Sequence, residues 1–141
     1  HFYQVYRTRD DKLLSVGAIE PQFYRAFREG LGVADDPAFD RQMDPAAWPG
    51  LKTRTAAIIA TRTRDEWVAT FSGEACVAPV LASGELAADP HLAARGSFVT
   101  LDGCLQAAPG PRFSRTPGAI ANPPPAPGQD SEDIMREWGV A

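Results

Sequence analysis

Apolar and polar residues alternate along residues 2–19, and the pattern then lengthens to steps of three and four. In residues 2–8, Phe2, Gln4, Tyr6 and Thr8 share one side while Tyr3, Val5 and Arg7 share the other. In residues 12–19, Leu14, Val16 and Ala18 alternate with Leu13, Gly17 and Ile19. Side chains of a strand point to opposite faces in turn, so both runs predict strands, and the polar Arg9-Asp10-Asp11 between them predicts a hairpin. Apolar groups stand on both faces, so either face can be covered. From Pro21 the period is helical: Phe23, Phe27 and Leu31 recur at fours with Tyr24 beside them, and Gly30 and Gly32 mark a stop. This predicts a helix over 21–31.

Residues 34–50 read as a polar connector in which Asp36-Pro37 and Asp44-Pro45 each offer a cap followed by a helix-starting proline. Leu51, Ala56, Ile58 and Ile59 then form a helical face that ends near Thr63. There Thr63-Arg64-Asp65-Glu66 has the form of a capping box, with Trp67 and Phe71 one turn apart on a second helix that closes at Gly73. Residues 76–81 are a short extended run, and Pro79 confines it to a sheet edge or to no sheet. Ser83 and Asp89-Pro90 predict two helical turns, the second stopping at Gly96. Residues 97–101 and 104–107 flank Asp102-Gly103, the residues of a tight primed turn, and predict a second hairpin. Residues 109–128 are too rich in proline for regular structure, and Ser131 opens a terminal helix that puts Ile134 and Trp138 on one side. The expected fold is α+β: a small antiparallel sheet built from the two hairpins, helices 21–31 and 51–71 packed on it, and a proline-rich arm. The expected division is a small domain over 1–108 and an arm with its helix over 109–141. That arm needs a surface; without one it should be mobile or dock on a second copy of the chain.

Composition changes this picture little. With 141 residues, 44% of them apolar and 23% charged, the chain has the make-up of one globular domain. A formal charge of −4 leaves no basic footprint for nucleic acid, no Lys/Arg run marks an anionic membrane surface, and no apolar run is long enough to span one. Neither nucleic acid nor membrane is an expected partner. Cys76 and Cys104 lack the spacing of a metal site or of a disulfide scaffold, so no metal is expected and a reducing compartment fits best. Arg outnumbers Lys twelve to two and alanine is abundant, the bias of a GC-rich bacterial genome, and the expected location is the cytoplasm. The chain opens on His1 inside a strand pattern, which predicts that further sequence precedes it.

Glu20 is the residue with the most specific candidate chemistry. A residue before proline is pushed to extended geometry, and proline at the first helical position has its φ already set. Glu20 is thereby fixed between a strand and a helix, yet glutamate is a poor N-cap. Its plain reading is an exposed carboxylate at a helix start; the alternative is a site residue, with Gln22 and Tyr24 one helical step on as cleft-lining neighbours. Tyr24 suits the core equally well. His91 reads as a helix-start residue, Arg112 and Arg115 as salt-bridge partners, and Trp48, Trp67 and Trp138 as packing groups.

These residues carry a resemblance. Tyr6-Arg7-Thr8, Val16-Gly17-Ala18-Ile19-Glu20-Pro21-Gln22-Phe23-Tyr24 and Gly30-Leu31-Gly32 resemble the small domain of the α-methylacyl-CoA racemases, a branch of the family III CoA-transferases. Thr61-Arg62-Thr63-Arg64-Asp65-Glu66-Trp67, Cys76-Val77-Ala78-Pro79-Val80, Asp89-Pro90-His91-Leu92-Ala93-Ala94-Arg95-Gly96 and Arg112-Phe113-Ser114-Arg115-Thr116-Pro117 are similar to successive segments of that family, so the resemblance covers nearly the whole chain. It departs at Asp11, where the family has glycine, and at Gly128-Gln129-Asp130-Ser131. The resemblance implies an isomerase that inverts the α-carbon of a 2-methylacyl-CoA thioester through an enolate. It also implies a histidine and an aspartate as the proton-transfer pair, both on a large domain outside these residues, and an interlocked homodimer. CoA enters as part of the substrate, with no separate cofactor. On the same analogy Glu20 orients the histidine, Gln22 and Tyr24 line the substrate cleft, and the isolated segment is inactive. A CoA transferase working through an aspartyl thioester, and a non-catalytic interaction module, are the alternatives.

Overall fold

The computed structural model describes residues 1–71 and 73–140. It divides into two compact units, His1–Leu81 and Ala82–Ala141. This boundary falls well before the proline-rich stretch at which the sequence suggested one, because the helical turns and the hairpin after Ala82 pair among themselves.

The first unit is helical on one side of a three-stranded sheet. Strand β1 (Tyr3–Arg7) pairs antiparallel with β2 (Leu13–Gly17) in the register Tyr3 to Gly17 and Arg7 to Leu13, and β2 pairs antiparallel with β3 (Val77–Val80). The order is β1-β2-β3, so β3 is an edge and Pro79 lies where a missing N–H is tolerated. The expected single sheet from two hairpins is thus corrected: the third strand here is 77–80, and the second hairpin forms its own two-stranded sheet. Helices α1 (Pro21–Leu31), α2 (Trp48–Ile59) and α3 (Arg64–Thr70) bury Tyr24, Phe27, Leu31, Ile59 and Trp67 against Phe2, Tyr6, Leu14 and Val16. On the opposite sheet face Tyr3 is 70% exposed.

Three local features follow directly from side-chain chemistry. Helix α2 starts at Trp48, ahead of the apolar run, because Pro49 sits in its first turn, where the N–H has no intrahelical partner to lose. The capping box at α3 forms as read: Thr63 Oγ1 accepts from the Glu66 N–H at 3.3 Å, and Glu66 accepts from the Thr63 N–H at 2.7 Å. Gly32, with φ 74°, ends α1. Gly30 has a different function, since a Cβ there would lie 2.3 Å from the Phe71 ring. Gly30→Ala should therefore reverse the usual gain of about 1 kcal/mol for a helical Gly-to-Ala change and cost about 1–3 kcal/mol through overpacking. A urea melt checks this, and an unchanged or raised midpoint contradicts it.

The first hairpin is latched to the α2–α3 junction. The Arg9 N–H donates to the Arg62 carbonyl at 2.9 Å, Arg9 Nη2 reaches Glu66 at 3.1 Å, and Asp10 accepts from the Arg64 N–H at 3.0 Å. The Thr8 hydroxyl, and after it the Arg64 amide, hold the Asp10 carboxyl below its ordinary 3.8; the Thr63 amide and hydroxyl hold Glu66 below 4.5. A carboxyl depressed in the fold stabilises it above the free value and loses that contribution as pH falls through the lower folded value. Stability should therefore be level above those free values and fall progressively below them, and Asp10→Asn should blunt the fall. Urea midpoints that stay constant into strongly acid solution would contradict this.

In the second unit a 3₁₀ turn (Ser83–Ala88) leads into α4 (Pro90–Ala94), which Asp89 caps by accepting from the Leu92 N–H at 2.9 Å. Strands β4 (Phe98–Leu101) and β5 (Cys104–Ala107) form the second hairpin, with Asp102 and Gly103 both at positive φ, as a primed turn requires. Residues 109–130 form no helix or strand, and α5 (Ser131–Trp138) closes the described chain. No described residue of this unit is fully buried, and Trp138 is 76% exposed.

Candidate functional site

The junction between β2 and α1 is built almost entirely from backbone. After β2 ends at Gly17, the Ile19 N–H turns back to the Gly17 carbonyl at 2.9 Å. Glu20 is extended (φ −71°, ψ 147°), Pro21 takes the first helical position, and the Tyr24 N–H closes the first helical hydrogen bond on the Glu20 carbonyl at 2.9 Å. The Glu20 side chain takes no part in this. It makes no cap hydrogen bond, is exposed, and has no ion-pair partner among the described residues. Its backbone is fixed while its carboxylate is free.

Of the residues singled out beside it, Gln22 is exposed on the first turn of α1 with Glu20. Tyr24 turns the other way. It is 5% exposed, and its hydroxyl donates to the Phe39 carbonyl at 2.7 Å and meets His1 Nε2 at 2.8 Å. Because the tyrosine proton is used on Phe39, the imidazole is the donor in the second contact. Burial also pushes the Tyr24 hydroxyl up to about 12, so it stays protonated. Glu20 and Gln22 thus share a surface, while Tyr24 is committed to the interior.

Gln42 carries no signal in the sequence. Its side-chain amide donates to the Ile19 carbonyl at 2.8 Å and to the Ala18 carbonyl at 3.3 Å, the two residues before Glu20. Gln42 is held in turn by Trp48, whose indole N–H donates to the Gln42 carbonyl at 2.8 Å. The flanking turn is closed by an Arg41–Asp44 ion pair and by Asp44 accepting from the Ala46 N–H at 2.9 Å. The hydrogen bond to Arg41 is the main cause of a lowered Asp44 carboxyl. The nearest sequence signals were Asp44-Pro45 as a turn and Trp48 as a packing group, and nothing in them points 23 residues back.

The remaining candidates have simpler places. His91 is exposed in the first turn of α4, and Arg112 donates to the Gly96 carbonyl at 3.0 Å. Trp67 is core and Trp48 half-buried, as packing groups should be, whereas Trp138 is open to solvent. Both cysteines are free and exposed. Among the described residues no three metal-ligating side chains converge, and no helix is long and apolar enough to cross a membrane.

Residues 1–131 match the family model of CoA-transferase family III, and the chain belongs to that family. Within it the chain is 39% identical to α-methylacyl-CoA racemase of Mus musculus and 38% identical to that of Homo sapiens, each over 99% of its own length. It is 35% identical over 78% of its length to a CaiB/baiF CoA-transferase family protein of Caenorhabditis elegans. The chain spans 37% of the mouse and human relatives. Among solved structures, the Rv3272 protein of Mycobacterium tuberculosis superposes on 92% of the chain with a TM-score of 0.66 at 16% identity, a likeness of fold. The chain is therefore a segment of a family III CoA-transferase-like protein, close to the α-methylacyl-CoA racemases.

Proposed function

We propose that the full-length protein is a racemase of 2-methylacyl-CoA thioesters, and that this chain forms the small-domain wall of its active site. The observation that carries the reading is the similarity to two α-methylacyl-CoA racemases along 99% of the chain. Inversion at the α-carbon takes one base and one acid on opposite faces. The base removes the α-proton to give an enolate, and the acid returns a proton to the other face, so the reaction neither gains nor loses atoms. The acid–base pair, a histidine and an aspartate, belongs to sequence outside this chain, and the segment by itself is inactive. Glu20 supports that pair as a positioning residue. Its free carboxylate accepts an N–H from the histidine, fixing the ring and favouring its charged form. Gln22, exposed beside it, faces the same cleft. The protein acts as a homodimer, and CoA arrives as part of the substrate.

The C. elegans relative supports a second reading, a transferase that passes CoA between carboxylic acids. The two separate cleanly when the full-length protein is given one epimer of a 2-methylacyl-CoA and no other carboxylic acid. Chiral chromatography should show both epimers accumulating. If the thioester is consumed only when a second acid is added, the transferase reading replaces this one.

A further inference from the structure

Glu20 has a hydrogen-bonded backbone junction and, among the described residues, a side chain without a partner. Pro21 and the Tyr24 N–H hold the junction from the helix side; on the strand side the Ile19 N–H is tied to the Gly17 carbonyl and the Gln42 side chain holds the Ala18 and Ile19 carbonyls. We infer that Gln42 is a positioning residue for the proposed reaction: its amide clamps the Ala18 and Ile19 carbonyls and so sets the direction in which Glu20 offers its carboxylate. This rests on the racemase reading given above.

The geometry suits a clamp better than a capped loose end. A side-chain amide has two N–H donors, and Gln42 spends them on two successive carbonyls, at 3.3 and 2.8 Å, which fixes the peptide plane immediately before Glu20. The backbone that carries the amide is held in turn: the Trp48 indole N–H donates to the main-chain carbonyl of Gln42, and the Trp48 ring packs edge-on to Phe2 with centroids 6.2 Å apart. The contacts therefore run from the hydrophobic core through Trp48 and Gln42 to the peptide before Glu20, the point from which its side chain departs. Ile19, whose carbonyl Gln42 holds, and Met43, next to Gln42 in the chain, are apolar and exposed. A carboxylate that must meet an imidazole at hydrogen-bond distance loses its effect when displaced by about 1 Å.

A purely structural glutamine would satisfy the same two carbonyls, so the test must read more than stability. Gln42→Met keeps the length and removes the donors. In the full-length enzyme it should lower kcat about tenfold while changing KM less than about twofold, a small loss beside the hundredfold that a misplaced group can cost. The deciding measurement is a double-mutant cycle with Glu20→Ala. If Gln42 acts through Glu20, adding Gln42→Met to Glu20→Ala leaves kcat within about twofold of the single Glu20→Ala variant. A tenfold loss that persists in the Glu20→Ala background shows that Gln42 is only structural and overturns the inference. So does an unchanged kcat in Gln42→Met when Glu20→Ala is slow. If Glu20→Ala itself is as fast as wild type, the role of Glu20 fails first, and with it the reading on which this inference stands. Gln42→Asn, which keeps the donors on a shorter arm, guards against misfolding of the methionine variant: its kcat should fall between the two, and a wild-type kcat in it would overturn the clamp.

Discussion

Glu20→Ala in the full-length protein should lower kcat for a 2-methylacyl-CoA about a hundredfold, with KM nearly unchanged. In the proposed role the carboxylate orients a proton-transfer group and does not bind substrate, so its loss should be felt in the transition state more than in the ground state. The fold should not notice. Glu20 bonds only through its backbone, and an exposed side chain without partners changes stability by no more than about 0.5 kcal/mol when replaced. Glu20→Gln refines the test. It keeps an acceptor but removes the charge that favours the imidazolium, so the limb of the kcat–pH profile governed by the histidine should move to lower pH. Wild-type kcat with an unmoved limb would remove Glu20 from the site.

The largest expected loss of stability is at Trp67. It is 1% exposed, lies 5.6 Å from the Phe71 ring in a stacked arrangement, donates to the Ile59 carbonyl at 2.7 Å, and carries the Arg62 guanidinium 4.8 Å above its ring. Trp67→Ala opens a cavity at the centre of the first unit and should cost about 3–5 kcal/mol, a large share of the total for a domain of this size. It also leaves the Ile59 carbonyl without its donor, a further penalty of about 1–3 kcal/mol if water cannot replace it. Trp67→Phe keeps the stack and loses the hydrogen bond, so it should fall between wild type and alanine. Urea denaturation followed by circular dichroism measures all three, and a Trp67→Ala midpoint close to wild type would contradict this account of the core.

Local chemistry was legible in the sequence and long-range pairing was not. Pro21, the capping box at Thr63, the glycine stop at Gly32 and the Asp102-Gly103 turn each depend on a few adjacent residues, and each stands where the sequence put it. The partner of β2 was missed because strand pairing depends on which segment folds back. Residues 77–80 and the second hairpin carry similar patterns, and only the first reaches β2. Gly30 was read as part of a stop when its lack of a side chain answers to Phe71, 41 positions away. Periodicity gave Phe23, Phe27 and Leu31 as the buried stripe of α1. In the fold Tyr24, Phe27 and Leu31 are buried and Phe23 is at the edge, so Tyr24 takes the place of Phe23 while the other two keep theirs. Tyr24 is thereby core, and Glu20 and Gln22 are at the surface.

The site was half legible for the same reason. Glu20 stood out because Pro21 marks the junction and glutamate makes a poor cap there, but its candidate role came from the family resemblance. The contact of Gln42 could not be foreseen, since glutamine at a turn has no distinguishing pattern and its targets are backbone carbonyls, which have no sequence at all. The free carboxylate and the clamp beneath it emerge only when residues 18–20 and 42–48 are seen together.

Exchange of the α-proton tests the central proposal most directly. The full-length protein, incubated in deuterated water with a single epimer of a 2-methylacyl-CoA and no second carboxylic acid, should give both epimers with deuterium at the α-carbon, and Glu20→Ala should slow that exchange about a hundredfold. Recovery of the starting epimer with its α-proton intact, from protein shown to be folded, would contradict the account.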